Sequence, residues 1–295
     1  MKWFRFLKSA IVMALVGILA VTIASSWETI QGITWHILPL ALGAAVGLVI
    51  FPLSILSWQR VMRGLGYDLA YQTAARIWLT ANSARFIPGT VWQYASRAVL
   101  ALRLERIPPL ISATSMVFEM LVLLIAGFLV SALGLLWVDA IQVPWQAILV
   151  GLIIGCVLLI PTVLTALVHL IKRLTHKEFV VTVLPISTTL QVAGIDILHF
   201  LVNGAVLTFL FAATGHSIAL TSLVVFSGMY AFSWAVGYLT FLAPGGLGVS
   251  DATLAGLLTL YVPPAEAAVL ALLMRAVISF SEIASFAALV AGRTK

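Results

Sequence analysis

The chain has 295 residues, of which 62% are hydrophobic and only 9% charged, and its formal net charge is +6. Soluble domains carry about 25% charged residues, and a chain this apolar (mean hydropathy +1.15) can neither cover a globule with polar surface nor stay disordered. A polytopic membrane protein remains: at about 20 residues per crossing there is room for about six to ten membrane segments and none for an extramembrane catalytic domain.

The single cysteine, Cys156, excludes an intrachain disulfide and a cysteine-based metal site. The five histidines, His36, His169, His176, His199 and His216, form no pair at metal-ligand spacing. No metal and no cofactor is expected. A charge of +6 points to nucleic acid in a soluble protein. Here the distribution of the charges matters more than their sum, and no nucleic-acid partner is expected.

The N-terminus, MKWFRFLK, is basic and precedes an apolar stretch from Ser9 to about Ser25. A signal peptide with a weak cleavage site at Ala24-Ser25-Ser26 is one reading. A retained first helix is preferred, because every later stretch is also apolar. Ile37–Trp58 is the second span. The less hydrophobic segments Leu69–Ile87 and Thr90–Leu104 follow, broken at Pro88-Gly89 and closed by RLERIPP. Leu110–Leu136, Trp145–Leu170 and Ile186–Thr214 read as spans. Thr221–Leu242 and Val249–Tyr261 are separated by APGGLG, and Ala265–Gly292 is the last helix. All are helices, because lipid offers no partner to backbone groups and the runs are too continuous for barrel strands. The fold class is all-α.

Lysine and arginine give the orientation. With the N-terminus in the cytoplasm, Lys2, Arg5, Lys8, Arg60, Arg63, Arg103, Arg106, Lys172, Arg173, Lys177, Arg293 and Lys295 all fall in cytoplasmic segments. The opposite loops, around Glu28, Asp139, His216 and Glu266, receive none. This asymmetry follows the positive-inside rule and predicts a multi-pass protein of the plasma membrane with both termini cytoplasmic.

The two interrupted segments share a plan. RFIPGTVWQYASRAVLALRLERIPP and TFLAPGGLGVSDATLAGLLTLYVPP each contain Pro-Gly, a helix of about a dozen residues and a Pro-Pro. Each precedes a long helix with a charge about ten residues in, Glu119 or Arg275. The first begins and ends on the basic side and the second on the other, so the copies run in opposite directions. Inverted repeats with broken helices build secondary transporters, whose substrate site lies where the breaks meet. The expected plan is one membrane domain of two repeats, about 1–140 and 141–295, each with three spanning helices and one broken or re-entrant hairpin. The alternative is that Pro-Gly only kinks ordinary spans.

Eight ionisable residues fall inside apolar segments: Arg76, Arg85, Arg97, Glu119, Asp196, Asp251, Arg275 and Glu282. At about 2.5–3.5 kcal/mol each near the midplane, they total on the order of 20–28 kcal/mol, more than the roughly 5–15 kcal/mol that holds a typical fold. They must pair, snorkel or line a hydrated cavity. Arg275, Ser279 and Glu282 share one helical stripe, as do Asp196, His199 and Asn203. Helix starts at the two breaks offer free backbone N–H groups to an anion, Arg85 and Arg97 flank the first break, and arginine's fork matches phosphate. Gly245, Gly246 and Gly248 let backbone approach a ligand closely.

The Pro88-Gly89-x-x-Trp92 hairpin with Arg97 downstream, Glu119, the run APGGLGVSDATL, Ala268 and LLMRAV with Arg275 together resemble the flippase-like transmembrane region of bacterial lysylphosphatidylglycerol synthases. The resemblance covers essentially the whole chain; one departure is Asp251, where the family more often has Glu. It implies movement of a phospholipid or polyprenyl-linked lipid between leaflets. Its best-known members add a soluble aminoacyl-transferase domain. None lies within these 295 residues, so lysyl transfer is expected to be absent.

The first functional reading is therefore a lipid flippase and not an enzyme. An anionic headgroup is expected at the broken hairpins, bound by Arg85, Pro88, Gly89, Trp92, Arg97, Gly245, Gly246, Gly248 and Arg275. Glu119, Asp196, Asp251 and Glu282 balance charge or carry a proton. Two rivals stand beside it: a membrane-embedded lipid transferase with Glu119 and Asp251 as its acid/base pair, and a non-transporting partner of a lipid- or glycan-modifying enzyme.

Overall fold

The structure is a computed structural model. It describes residues 31–86, 92–138, 144–176, 184–219, 221–240 and 248–291. The expected first helix, with its candidate cleavage site, lies outside the described residues, as do Pro88, Gly89, Gly245 and Gly246 and the side chain of Arg85.

The described residues contain helices and no strand. In chain order they are α1 (Ile37–Gly47), α2 (Ile50–Gly64), α3 (Tyr71–Asn82) with a following 3-10 turn (Ser83–Phe86), α4 (Trp92–Glu105), α5 (Pro109–Leu135), α6 (Trp145–Leu158), α7 (Pro161–Thr175), α8 (Ile186–Ala213), α9 (Ser222–Leu239), α10 (Val249–Leu258) and α11 (Pro264–Ala291). Proline marks several starts. Pro109, Pro161 and Pro264 each open a helix, where the missing N–H would have had no helical partner. Pro52 lies in the first turn of α2 and cannot donate to the carbonyl of Leu48. The chain accordingly tightens there, with Leu48 N–H to Ala45 O at 3.2 Å and Val49 N–H to Val46 O at 3.1 Å.

Five helical stretches are long and apolar enough to cross a membrane: Ile37–Gly64, Pro109–Gly134, Ile186–Ala213, Ser222–Leu239 and Pro264–Ala291. Helices α5, α8 and α11, of 27, 28 and 28 residues, each rise about 40 Å, more than the hydrocarbon core of about 30 Å. Their outward faces are apolar. Leu190 is 58% exposed, Phe280 53% and Ile283 68%, which suits lipid and not water. This is a multi-pass membrane protein.

Two expectations change. Trp145–Leu170 is not one straight span, because α6 and α7 meet at 82°. The residue before a proline is pushed out of the helical region, and Ile160, before Pro161, is extended at φ −63°, ψ 127°. The hydropathy of the run is continuous across the elbow, so composition alone did not reveal it. The second interrupted segment is also less symmetric with the first than expected. Helix α9 has 18 residues and the length of a full crossing, whereas α3 has 12.

The chain divides into two compact units, residues 1–49, 130–143 and 200–281, and residues 50–129, 144–199 and 282–295. In the first, glycines set the helix spacing. A Cβ on Gly228 would lie 2.7 Å from the Cα of Gly134, so α5 and α9 touch backbone to backbone, the small-residue packing typical of membrane helices. Gly204 of α8 faces Ser227 of α9 just as closely, and Ser281 Oγ donates to the Gly47 carbonyl at 2.6 Å. In the second unit, Val61, Phe118, Val122, Leu164, Leu184 and Val192 are among the buried residues that pack α2, α5, α7 and α8 together. Helix α3 packs against both α2 and α4 there, while α9 packs against α10 in the first unit.

Candidate functional site

Each interrupted segment supplies one ion pair, formed between its second helix and the long helix after the Pro-Pro. In the second unit Arg97 of α4 meets Glu119 of α5, Nη1 donating to Oε2. Both are nearly enclosed, with side chains 8% and 14% exposed. Trp78 Nε1 donates to the other carboxylate oxygen at 3.1 Å. The guanidinium carbon lies 5.3 Å from the ring centroids of both Trp58 and Trp78, within cation–π range. Trp58 is itself fully buried and fixed by its Nε1 donating to Ser115 Oγ at 3.0 Å. Arg97 is thus held by one carboxylate and two indoles. Its Nε is buried without a hydrogen-bond partner.

In the first unit the signs are exchanged. Asp251 of α10 meets Arg275 of α11, with Nε to Oδ1 at 2.9 Å and Nη2 to Oδ1 at 2.8 Å. Nη2 also donates to Ser250 Oγ at 2.8 Å. The second oxygen of Asp251 accepts the backbone N–H of Gly248 at 3.1 Å, the reach-back half of a capping box. The helix start expected to offer free N–H groups to an anion therefore has one of them taken by its own aspartate. Gly248 sits at φ +81°, a conformation that glycine reaches without a Cβ penalty. Ser250 is fixed by contact, because a Cβ on Gly237 of α9 would come within 2.8 Å of its Cβ. Arg275 is less enclosed than Arg97, at 24% of its side chain, and its Nη1 makes no hydrogen bond among the described residues.

Three other charges of the apolar segments, Glu282, Asp196 and Arg76, stand apart from these pairs. Glu282 shares a stripe with Arg275 but accepts from Asn82 Nδ2 at 2.7 Å, in the second unit. Asp196 is 2% exposed, and its Oδ2 has no hydrogen-bond partner among the described residues. Along its stripe, His199 Nδ1 lies 3.3 Å from Ser54 Oγ and Asn203 is fully buried. Arg76 is exposed, and Trp92, at the start of α4, is 50% exposed.

Sequence reasoning found the four paired charges and Gly248, which bonds Asp251, but none of the neutral side chains around them. Trp58, Trp78, Ser115 and Asn82 have no motif around them, and Ser250 stands unmarked within the run APGGLGVSDATL. Buried arginine needs donors satisfied and its face covered, which is a reason to look for indoles, but nothing in the sequence says which of nine tryptophans serve.

No curated protein matches the chain. A family model described as the lysylphosphatidylglycerol synthase transmembrane region matches residues 5–281. With nearly the whole length covered, the two interrupted segments included, the chain belongs to the lysylphosphatidylglycerol synthase transmembrane-region family.

Proposed function

We propose that the protein moves a lipid with an anionic headgroup between the leaflets of the cytoplasmic membrane. Family membership supports a lipid-related role in a membrane. The observation that carries the finer reading is the pair of buried arginine–carboxylate bridges, one at each interrupted hairpin. Arginine is costly in a bilayer and recurs there where function needs it, and its fork suits phosphate. Each bridge places one arginine beside an interrupted segment, Arg97 on α4 in the second unit and Arg275 on α11 in the first, and the acyl tails stay in lipid. The carboxylates balance the arginines when no headgroup is present.

The same reading takes the hairpins as copies of one repeat in opposite orientation and puts both termini in the cytoplasm. Charge supports the orientation. Among the described residues Arg60, Arg63, Arg103, Arg106, Lys172 and Arg173 all fall in the segments this reading puts in the cytoplasm, as the positive-inside rule asks.

The test is translocation in proteoliposomes holding the full chain, with labelled phosphatidylglycerol or a labelled polyprenyl phosphate, with and without a proton gradient. Arg275→Ala is expected to abolish transport and keep the wild-type elution profile and helix content. Wild-type rates in that variant would remove Arg275 from the site. Failure of wild-type protein to move either lipid would count against transport itself.

A further inference from the structure

Helix α7 has no part in either ion pair, and its sequence is unlike that of the spans. We infer that α7 is an interfacial helix that lies along one membrane surface, the cytoplasmic one in the orientation proposed above, and binds anionic lipid headgroups there. Three observations carry this.

The first is direction and depth. Helix α6 has 14 residues and rises about 21 Å at 1.5 Å per residue. A hydrocarbon core is about 30 Å thick. A helix that enters at one edge and turns through 82° at its end leaves its successor about 9 Å short of the other edge. Interfacial helices sit about 5–10 Å deep in that layer.

The second is the pattern around the helix. At 100° per residue α7 shows three stripes. Leu164 and Val168 are fully buried against the protein. Beside them Leu170 and Leu174 point away from it, 49% and 71% exposed. His169, Lys172 and Arg173 occupy the remaining arc. A helix spanning lipid turns its polar stripe toward the protein, whereas Arg173 and His169 are exposed on the side away from Leu164 and Val168, and a helix in water would not expose that leucine stripe. A helix with lipid tails on one flank and headgroups on the other satisfies both.

The third is charge. Helix α7 holds no acidic residue, and its last turn carries Lys172 and Arg173. Anionic headgroups are the complement such a face meets at a membrane surface.

The experiment uses the full chain in vesicles, with Cys156→Ser as background because Cys156 is the sole cysteine and is exposed. Leu174→Cys and His169→Cys are each labelled with an environment-sensitive fluorophore. The label at 174 is expected to be quenched by lipids carrying a quencher high on the acyl chain and shielded from aqueous iodide. The label at 169 is expected to show the reverse. Adding phosphatidylglycerol to phosphatidylcholine vesicles is expected to shift the 174 emission to the blue, Arg173→Gln to remove that shift, and Arg173→Lys to keep it. Two labels quenched alike from deep in the bilayer would make α7 part of a crossing, and two quenched alike by iodide would lift it off the membrane. Either overturns the inference, and an emission indifferent to phosphatidylglycerol overturns its headgroup half. None of these readings depends on transport.

Discussion

Replacing Glu119 by leucine removes the carboxylate that pairs with Arg97 and leaves a guanidinium that is 8% exposed. Breaking one side of a buried pair typically costs about 3–5 kcal/mol, because the surviving charge stays desolvated. The two indole faces 5.3 Å away remain, and each offsets about 0.5–2 kcal/mol of that charge. The expected loss is therefore at the lower end, about 3 kcal/mol, or roughly 6–12 °C in Tm at about 2–4 °C per kcal/mol. Trp78 Nε1 also loses its acceptor. The double variant Arg97→Met/Glu119→Leu removes both charges and gives the indoles an apolar partner. It is expected to melt within about 1 kcal/mol of wild type, or above it. The assay is thermal unfolding of the full chain in nanodiscs, followed by helical circular dichroism, with the two singles and the double compared. A single variant that melts with wild type, or a double that falls by the sum of the singles, would refute the coupling.

Two further variants probe packing and an unpaired oxygen. Gly228→Ala sets a methyl against the backbone of Gly134 at 2.7 Å; α5 and α9 must separate, and a loss of about 1–3 kcal/mol is expected. Gly256→Ala, where a Cβ meets nothing within 4 Å, serves as control and is expected to gain up to about 1 kcal/mol; equal melting of the two would remove the close contact as the cause. Asp196→Asn keeps the shape of a side chain that is 2% exposed with one oxygen unbonded and removes its charge; Tm is expected to hold or rise, and a clear fall in the same melt would mean the fold needs the carboxylate.

The sequence made the long helices legible because their boundaries are chemical. Pro108-Pro109 and Pro263-Pro264 stop one helix and start the next, so a span expected at Leu110–Leu136 appears at Pro109–Leu135 and one at Ala265–Gly292 at Pro264–Ala291. The charges were equally visible, since each is conspicuous in an apolar run. Their pairing was not. Arg275 and Glu282 share a stripe, yet their partners are Asp251, 24 residues away, and Asn82, 200 residues away. Helical periodicity says which side chains face the same way and nothing about what stands opposite. The elbow at Pro161 was hidden for a related reason: hydropathy has no direction, and a run can stay apolar while its axis turns.

The two arginines differ in what they have left to give. A guanidinium has five N–H donors. Arg97 commits Nη1 to Glu119, buries Nε without an acceptor and lies under two indole faces; a ligand would have to displace a carboxylate from a nearly closed pocket. Arg275 spends Nε and Nη2 on Asp251 and Ser250, keeps both Nη1 hydrogens clear of any hydrogen bond among the described residues, and leaves 24% of its side chain exposed. A phosphate can take those two donors while the bridge to Asp251 stays intact, so the charge is never stranded in the bilayer. Asp251 in turn stays anchored by the Gly248 N–H, which keeps the guanidinium aimed whether or not a headgroup is bound. On this accounting the Arg97 bridge holds α4 against α5, and Arg275 is the arginine that, under the proposed transport, has donors left for a headgroup. The more exposed bridge is the one to change first, because its loss separates transport from folding.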